Sequence, residues 1–165
     1  MISLDSEKAL NQLIKIKNRD IDSGKIFTLV PELDSAGHIS AEKYAIIPEA
    51  ASVMIKTQLP GPLTFVLNRA ETFRHPYYDH FKTIGLRVPD TPLFRELLPL
   101  SGPLILTSAN RRGAAPLQTA AAILSEFSEL DGLVQGEANN EPPSTVIDFT
   151  GETPKILRQG AIKVV

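Results

Sequence analysis

Apolar residues at three- and four-residue spacing, Ala9, Leu10, Leu13 and Ile14, follow Asp5 and Ser6, which predicts a capped first helix. Lys15, Lys17 and Arg19 crowd its end, where cations offset the negative end of the helix dipole. The near-continuous apolar run in Lys25 to Val30 predicts a short strand covered on both faces and stopped by Pro31. Ser40 with Glu42 and Lys43, then Pro48 ahead of Glu49 to Ile55, predict one helical corner with Pro48 at a first helical position. Pro60-Gly61-Pro62 feeds a strand from Leu63 to Leu67. Asn68 to Thr83 has no clean period and reads as a surface connection or irregular hairpin rich in aromatic residues. Ile84 to Pro89 is a further strand in which Arg87 alternates against apolar neighbours. Leu93, Phe94, Leu97 and Leu98 take helical spacing up to Pro99. Leu104-Ile105-Leu106 is a buried strand, Thr119 to Leu130 a helix with Ile123, Leu124, Phe127 and Leu130 inward. Asp131 to Val134, Ser144 to Phe149 and Lys155 to Leu157 supply the last strands, around the polar turn Glu137 to Pro143.

Helices alternate with strands, but several successive strands have no helix between them. This order predicts an α/β fold with a twisted, open, mixed sheet packed by helices, in one domain spanning residues 1–165. A 42% hydrophobic content in 165 residues suffices for one core. The absence of cysteine excludes disulfides, zinc-thiolate sites and cysteine nucleophiles. With 17 basic and 19 acidic residues the net charge is −2, so a nucleic-acid partner would need a local basic patch. No signal-like or membrane-length apolar run is present, which makes a cytoplasmic location the expectation and a membrane partner none.

The chemistry concentrates at strand ends. Leu104 to Leu106 runs into Thr107-Ser108-Ala109-Asn110 and then Arg111-Arg112-Gly113, a polar loop in which Ser108 and Asn110 suit polar oxygens and nucleotide edges while Arg111 and Arg112 favour an anion. Thr64, Arg87, Ser144, Thr145 and Arg158 join them, with Lys17 and Arg19 from the first helix. No GxxxxGK[ST] or strand-linked GxGxxG is present, and the three histidines lie away from these ends, so no Ser-His-Asp arrangement is supported. His75, Asp79 and His80 match no familiar metal-ligand spacing and read as solvated loop residues. The set suits an anionic ligand and offers no nucleophile or general base. Catalysis on it would work by positioning reactants and stabilising charge.

Six stretches, KNR (Lys17 to Arg19), PGPLTFVL (Pro60 to Leu67), IGLRVPDTP (Ile84 to Pro92), PLILTSAN (Pro103 to Asn110), PSTVIDFT (Pro143 to Thr150) and ILRQGAI (Ile156 to Ile162), resemble in order the motifs of the YrdC-like family. The resemblance implies a twisted open α/β fold with a large, positively charged cavity. It implies threonylcarbamoyl-AMP synthesis: L-threonine, bicarbonate and ATP, with magnesium, give the adenylate and pyrophosphate. A separate transferase complex then modifies adenosine in tRNA. By position, Lys17, Arg19, Ser108 and Asn110 match the family's KxR and SxN residues and are expected on the triphosphate and adenylate. Thr64 and Arg158 are expected on the nucleotide side, Arg87 and Ser144 on the threonine side, with Arg111 a weaker candidate. Magnesium is expected on phosphate oxygens and water.

Two departures from the pattern bear on the threonine side. The chain begins just downstream of where the family opens with a PTDTVYGL-like segment, and Leu29 stands where synthases commonly carry a histidine. They leave open a non-catalytic relative that binds tRNA, double-stranded RNA or a nucleotide. A sheet one strand short would also have an open edge, and a homodimer through it is the matching expectation.

Overall fold

The computed structural model describes residues 1–18, 24–34, 37–111, 113–134, 136 and 142–163. They form the mixed α/β architecture expected, an open eight-stranded sheet with four helices: β1 (Ile2–Ser3), α1 (Glu7–Lys17), β2 (Thr28–Val30), β3 (Ala45–Ile46), α2 (Glu49–Gln58), β4 (Leu63–Arg69), β5 (Thr83–Leu86), α3 (Pro92–Ser101), β6 (Leu104–Leu106), α4 (Ala120–Glu126), β7 (Thr145–Asp148) and β8 (Lys155–Arg158). The strand order is β1-β6-β2-β5-β4-β7-β8, with β3 on the far end of β4. β2 runs parallel to β5 and β4 parallel to β7, and the remaining pairs are antiparallel.

Register divides the sheet into two faces, because successive side chains point to opposite sides. Leu29, Ile105, Ile84, Leu86, Leu63, Phe65, Leu67 and Ile147 point into the main core, which also takes Leu10 and Leu13 of α1 and Ala51 and Ile55 of α2. Their neighbours along the strands, Thr28, Gly85, Arg87, Thr64, Val66, Val146 and Arg158, are matched by register on the other face. A second, smaller core of Val30, Val88, Phe94, Leu98 and Leu104 packs α3 against the β2–β6 side. Leu29 and Val30 are both fully buried, one in each core, as their continuous apolar pattern predicts.

Several expectations are corrected. The helical corner is a 3₁₀ turn (Ala41–Lys43), then β3, then α2 with Pro48 as its N-cap, because Ala45 and Ile46 find partners in Arg69 and Asn68 of β4. α3 continues through Pro99 to Ser101, since only a last-turn bond is lost there, and Gly102 at φ +67° ends it. α4 stops at Glu126 and buries none of its own residues, with Leu124 52% exposed; Phe127 alone of the predicted inward set is buried. Residues 131–134 form no strand, and of the following polar turn residues 137–141 lie outside the described residues.

The larger correction concerns residues 70–82. They are not a surface connection: His75, Tyr77 and Tyr78 are buried, and Phe73, His75, Tyr77, Tyr78 and Phe81 touch ring to ring. Their polar tips take over backbone bonds that a strand partner would make. The Tyr77 hydroxyl accepts from Phe27 N and donates to Lys25 O, the Tyr78 hydroxyl donates to Phe27 O at 3.2 Å, and β2 accordingly starts only at Thr28. His75 Nε2 meets Leu4 O at 2.9 Å while Nδ1 accepts from Tyr77 N at 3.2 Å, so the ring sits with its proton on Nε2 and pins the segment before α1. Arg69 holds Phe81 O at 3.0 Å and Asp79 at 3.2 Å.

Beside this cluster, Tyr44 and Lys43 both bond the Glu32 carboxylate. Burial alone would raise that carboxyl, but the two hydrogen bonds outweigh it and hold Glu32 below the ordinary carboxylate value. β8 ends the sheet with all four residues exposed, Ile156 at 46% and Leu157 at 58%, and its register against β7 shifts at Leu157.

Tyr78→Phe removes the buried hydroxyl's bond to Phe27 O, and stability is expected to fall by about 1 kcal/mol, read as a lower urea midpoint at unchanged slope. A carboxyl whose folded-state pKa is depressed contributes stability above its unfolded value and loses it as pH falls through the folded one. Wild type should therefore lose stability on acidification below the ordinary carboxylate range more steeply than Glu32→Gln, as measured by denaturation midpoints taken along a pH series.

Candidate functional site

α1 ends on Asn18, whose φ of +41° is the left-handed conformation asparagine tolerates at a helix C-terminus. The preceding residue, Lys17, is only 5% exposed and points toward the loop after β6. Its Nζ donates to Ser108 O at 3.0 Å, to Asn110 Oδ1 at 2.7 Å and to Asn110 O. Ser108 Oγ donates to the same Asn110 Oδ1 at 2.6 Å, and Asn110 Nδ2 donates to Ala114 O at 2.6 Å. These bonds fix the ammonium on the loop after β6. Residues more than ninety positions apart thus form one polar cluster, as the strand-end reading expects for Lys17, Ser108 and Asn110. Arg19 and Arg112 lie outside the described residues.

A second cluster sits at the other end of the strands, because β6 runs antiparallel to β2 and β2 parallel to β5. Thr64 near the start of β4 and Ser144 just ahead of β7 share a buried hydrogen bond, Oγ1 to Oγ at 2.8 Å. Arg158, the last residue of β8, donates through Nε and Nη2 to Ser144 O at 3.0 and 2.8 Å and through Nη2 to Ser144 Oγ at 3.0 Å. Arg87 follows β5 on the same face, half-buried, and its Nε has no hydrogen-bond partner among the described residues. Burial, then the nearby Arg158 charge, lowers its pKa from the ordinary guanidinium value. A desolvated guanidinium next to a second cation is relieved by an anion more than by any neutral group.

Three residues read differently in the fold than in the sequence. Thr145 is fully buried, and its hydroxyl donates to Ile162 O at 2.6 Å and accepts from Gly160 N at 3.0 Å, so it anchors the tail and faces no ligand. Arg111 is turned away from Asn110 onto Glu126. Leu29 points into the main core, on the face opposite Arg87, so its side chain does not line the polar face. The residue that sequence reasoning undervalued is Gly160. A Cβ there would stand 2.0 Å from Pro143 O and 2.5 Å from the Ser144 carbonyl carbon, so only glycine lets the tail close over Ser144. Its signal was the GlnGly pair directly after Arg158.

A cavity of about 740 Å³ lies elsewhere, between residues 34–43 and α2, with Ile39, Ile47, Ile55 and Leu59 inside and Lys43 and Lys56 mixed with Asp34 and Glu42 at its rim. No candidate residue lines it, and it is not the positively charged cavity that the family resemblance implies. Among the described residues no group of three His, Asp or Glu side chains could hold a metal, and no helix is long and apolar enough to cross a membrane.

Comparison with known proteins identifies the family and the fold. The sequence pattern of the Sua5/YciO/YrdC family, described as "Telomere recombination", matches residues 1–160. The threonylcarbamoyl-AMP synthase of Escherichia coli O1:K1 is 32% identical over 162 residues, covering 94% of this chain and 80% of that protein, and that of Shigella boydii serotype 18 matches equally. Sua5 of P. abyssi, solved with L-threonine, superposes with a TM-score of 0.80 at 28% identity, covering 96% of this chain. The chain spans 46% of that Sua5, less than half its length. E. coli YciO superposes with a TM-score of 0.80 at 26% identity, covering 96% of this chain and 76% of that one. HypF, at 18% identity and a TM-score of 0.76, shares the fold alone. With the pattern running along nearly its whole length and curated relatives at 32% identity, the chain belongs to the Sua5/YciO/YrdC family.

Proposed function

We propose that the chain is a threonylcarbamoyl-AMP synthase, joining L-threonine, bicarbonate and ATP into the adenylate and releasing pyrophosphate and water. The observation that carries this reading is the cluster in which the buried Lys17 is held on Ser108 and Asn110, since it brings an ammonium, a hydroxyl and an amide from distant parts of the chain to one place, a set suited to the oxygens of a phosphate chain. Support comes from the synthases at 32% identity. The product requires a new bond from a carboxylate oxygen of the threonine carbamate to the α-phosphorus, while the bond to the bridging oxygen breaks and pyrophosphate leaves. No residue need act as nucleophile in such a transfer; the protein aligns the two reactants and stabilises spread negative charge.

In this reading Lys17, Ser108 and Asn110, with Arg19, take the triphosphate side, and Thr64 and Arg158 the adenylate side. Arg87 and Ser144 take threonine, the Arg87 guanidinium meeting its carboxylate. L-threonine in the P. abyssi Sua5 structure supports the amino acid. Magnesium fits the site only as the partner of the triphosphate, because the cluster offers ammonium, hydroxyl and amide groups; bound there, it would neutralise phosphate charge. The adenylate would pass to a separate transferase acting on tRNA. The cytoplasm is the matching compartment.

Titration calorimetry with ATP and magnesium, with and without threonine, tests the reading. Wild type should bind ATP more tightly when threonine is present. Lys17→Ala and Asn110→Ala should each weaken ATP about 10- to 100-fold, with less than additive loss together because the two groups touch. Absence of ATP binding at millimolar nucleotide would overturn the synthase reading and favour salt-dependent RNA binding. In a pyrophosphate-release assay, Arg87→Ala should raise the KM for threonine by about tenfold or more while leaving the KM for ATP near wild type.

A further inference from the structure

Arg111 directly follows Asn110, yet its guanidinium is directed at the end of α4. Nε donates to Glu126 Oε1 at 2.7 Å, Nη2 donates to the Glu126 backbone oxygen at 2.9 Å, and the guanidinium carbon lies 5.0 Å from the centre of the buried Phe127 ring. Glu126 is the last residue of α4, so its carbonyl is one of those a helix end leaves without an internal partner, and a cation there also meets the negative end of the dipole. An exposed ion pair by itself would be worth little. Here three contacts of different kinds converge on one planar group whose fork geometry lysine cannot reproduce.

The clamp closes a ring. Gln12 Nε2 on α1 donates to Glu129 O just beyond Phe127, and Lys17, five residues along the same helix, holds Asn110. The loop is therefore tied to α1 twice, directly through Lys17 and indirectly through Arg111, Glu126 and Glu129. Within it, Leu117 N donates to Ala109 O at 2.8 Å and Ala114 N to Arg111 O at 3.1 Å, while Gly113 supplies the φ of +84° the turn needs. α4 buries no residue of its own, so these polar ties carry much of its attachment.

We propose that Arg111 is a positioning residue: it fixes the Asn110 loop by clamping the end of α4 and does not itself contact the phosphates. The proposal rests on the reading of the Asn110 loop as the triphosphate side. Two readouts test it on the full chain, comparing wild type with Arg111→Ala, Arg111→Lys, Glu126→Ala and the double alanine variant. Amide exchange across residues 106–117 in unliganded protein should accelerate by about tenfold or more in all four variants, with the melting temperature within a few degrees of wild type. ATP affinity should fall about three- to fivefold in Arg111→Ala and by a similar factor in Glu126→Ala, the double variant being no worse than Arg111→Ala, and lysine should not restore it.

A direct phosphate contact predicts the opposite sign for Glu126→Ala: the freed arginine would leave ATP affinity unchanged or raise it, and that result overturns the proposal. Unaltered exchange in Arg111→Ala overturns it as well, whatever the nucleotide does. Failure of the synthase reading shows separately, as wild type that binds no ATP.

Discussion

Alternation along three central strands is the constraint on which the rest of the molecule depends. In β4, β5 and β7 every second side chain is driven into one well-packed core, and the intervening positions are left on the other face, where among the described residues α3 packs at the β2–β6 side. Thr64 and Arg87 occupy such positions by register, with Arg158 set beside them through β7. A slip of one residue in any of these strands would carry its polar group into the core and an apolar residue out, so the energy of core burial also enforces the placement of the polar face. The site is in this sense the reverse side of the core.

The strands themselves are short, and their ends need backbone partners from elsewhere. The aromatic segment supplies them: Tyr77 and Tyr78 close bonds to residues 25–27 that no strand closes, and His75 ties in Leu4. Large rings give this arrangement apolar burial as well as polar tips, which suits them to complete the entry into a central strand. At the other end of the sheet, Gly160 lets the tail fold tightly on Pro143 and Ser144, giving Thr145 two partners and holding Ser144 where Arg158 can reach it.

What was legible in the sequence follows from the range of the forces involved. Strands β2, β4, β5, β6 and β7 were visible because their apolar runs are local records of burial. The short α4 was overextended because Leu124 and Leu130 complete a helical stripe that no other element covers. The aromatic segment was misjudged because its residues are buried by partners fifty and seventy positions away, a relation no local window contains. At the site, Lys17, Ser108 and Asn110 were legible as a resemblance, and their mutual contact required the fold. The same holds for Arg111 and Thr145, whose side chains suited an anion by type but were spent on Glu126 and on the tail.

The bonds from Lys17 to Asn110 and from Thr64 to Ser144 each join parts of the chain more than 75 residues apart. Because synthesis proceeds from the N-terminus, the first of these clusters can close once the loop after β6 has left the ribosome, while the second waits for residue 158. At 5–20 residues per second the stretch from Asn110 to Arg158 takes roughly two to ten seconds. Throughout it the polar face of β4 and β5 is present without Ser144 or Arg158 to complete it. A nascent chain therefore acquires its Lys17–Asn110 cluster before its second one, and an interrupted chain would carry the first cluster alone on a sheet whose edge is still β4.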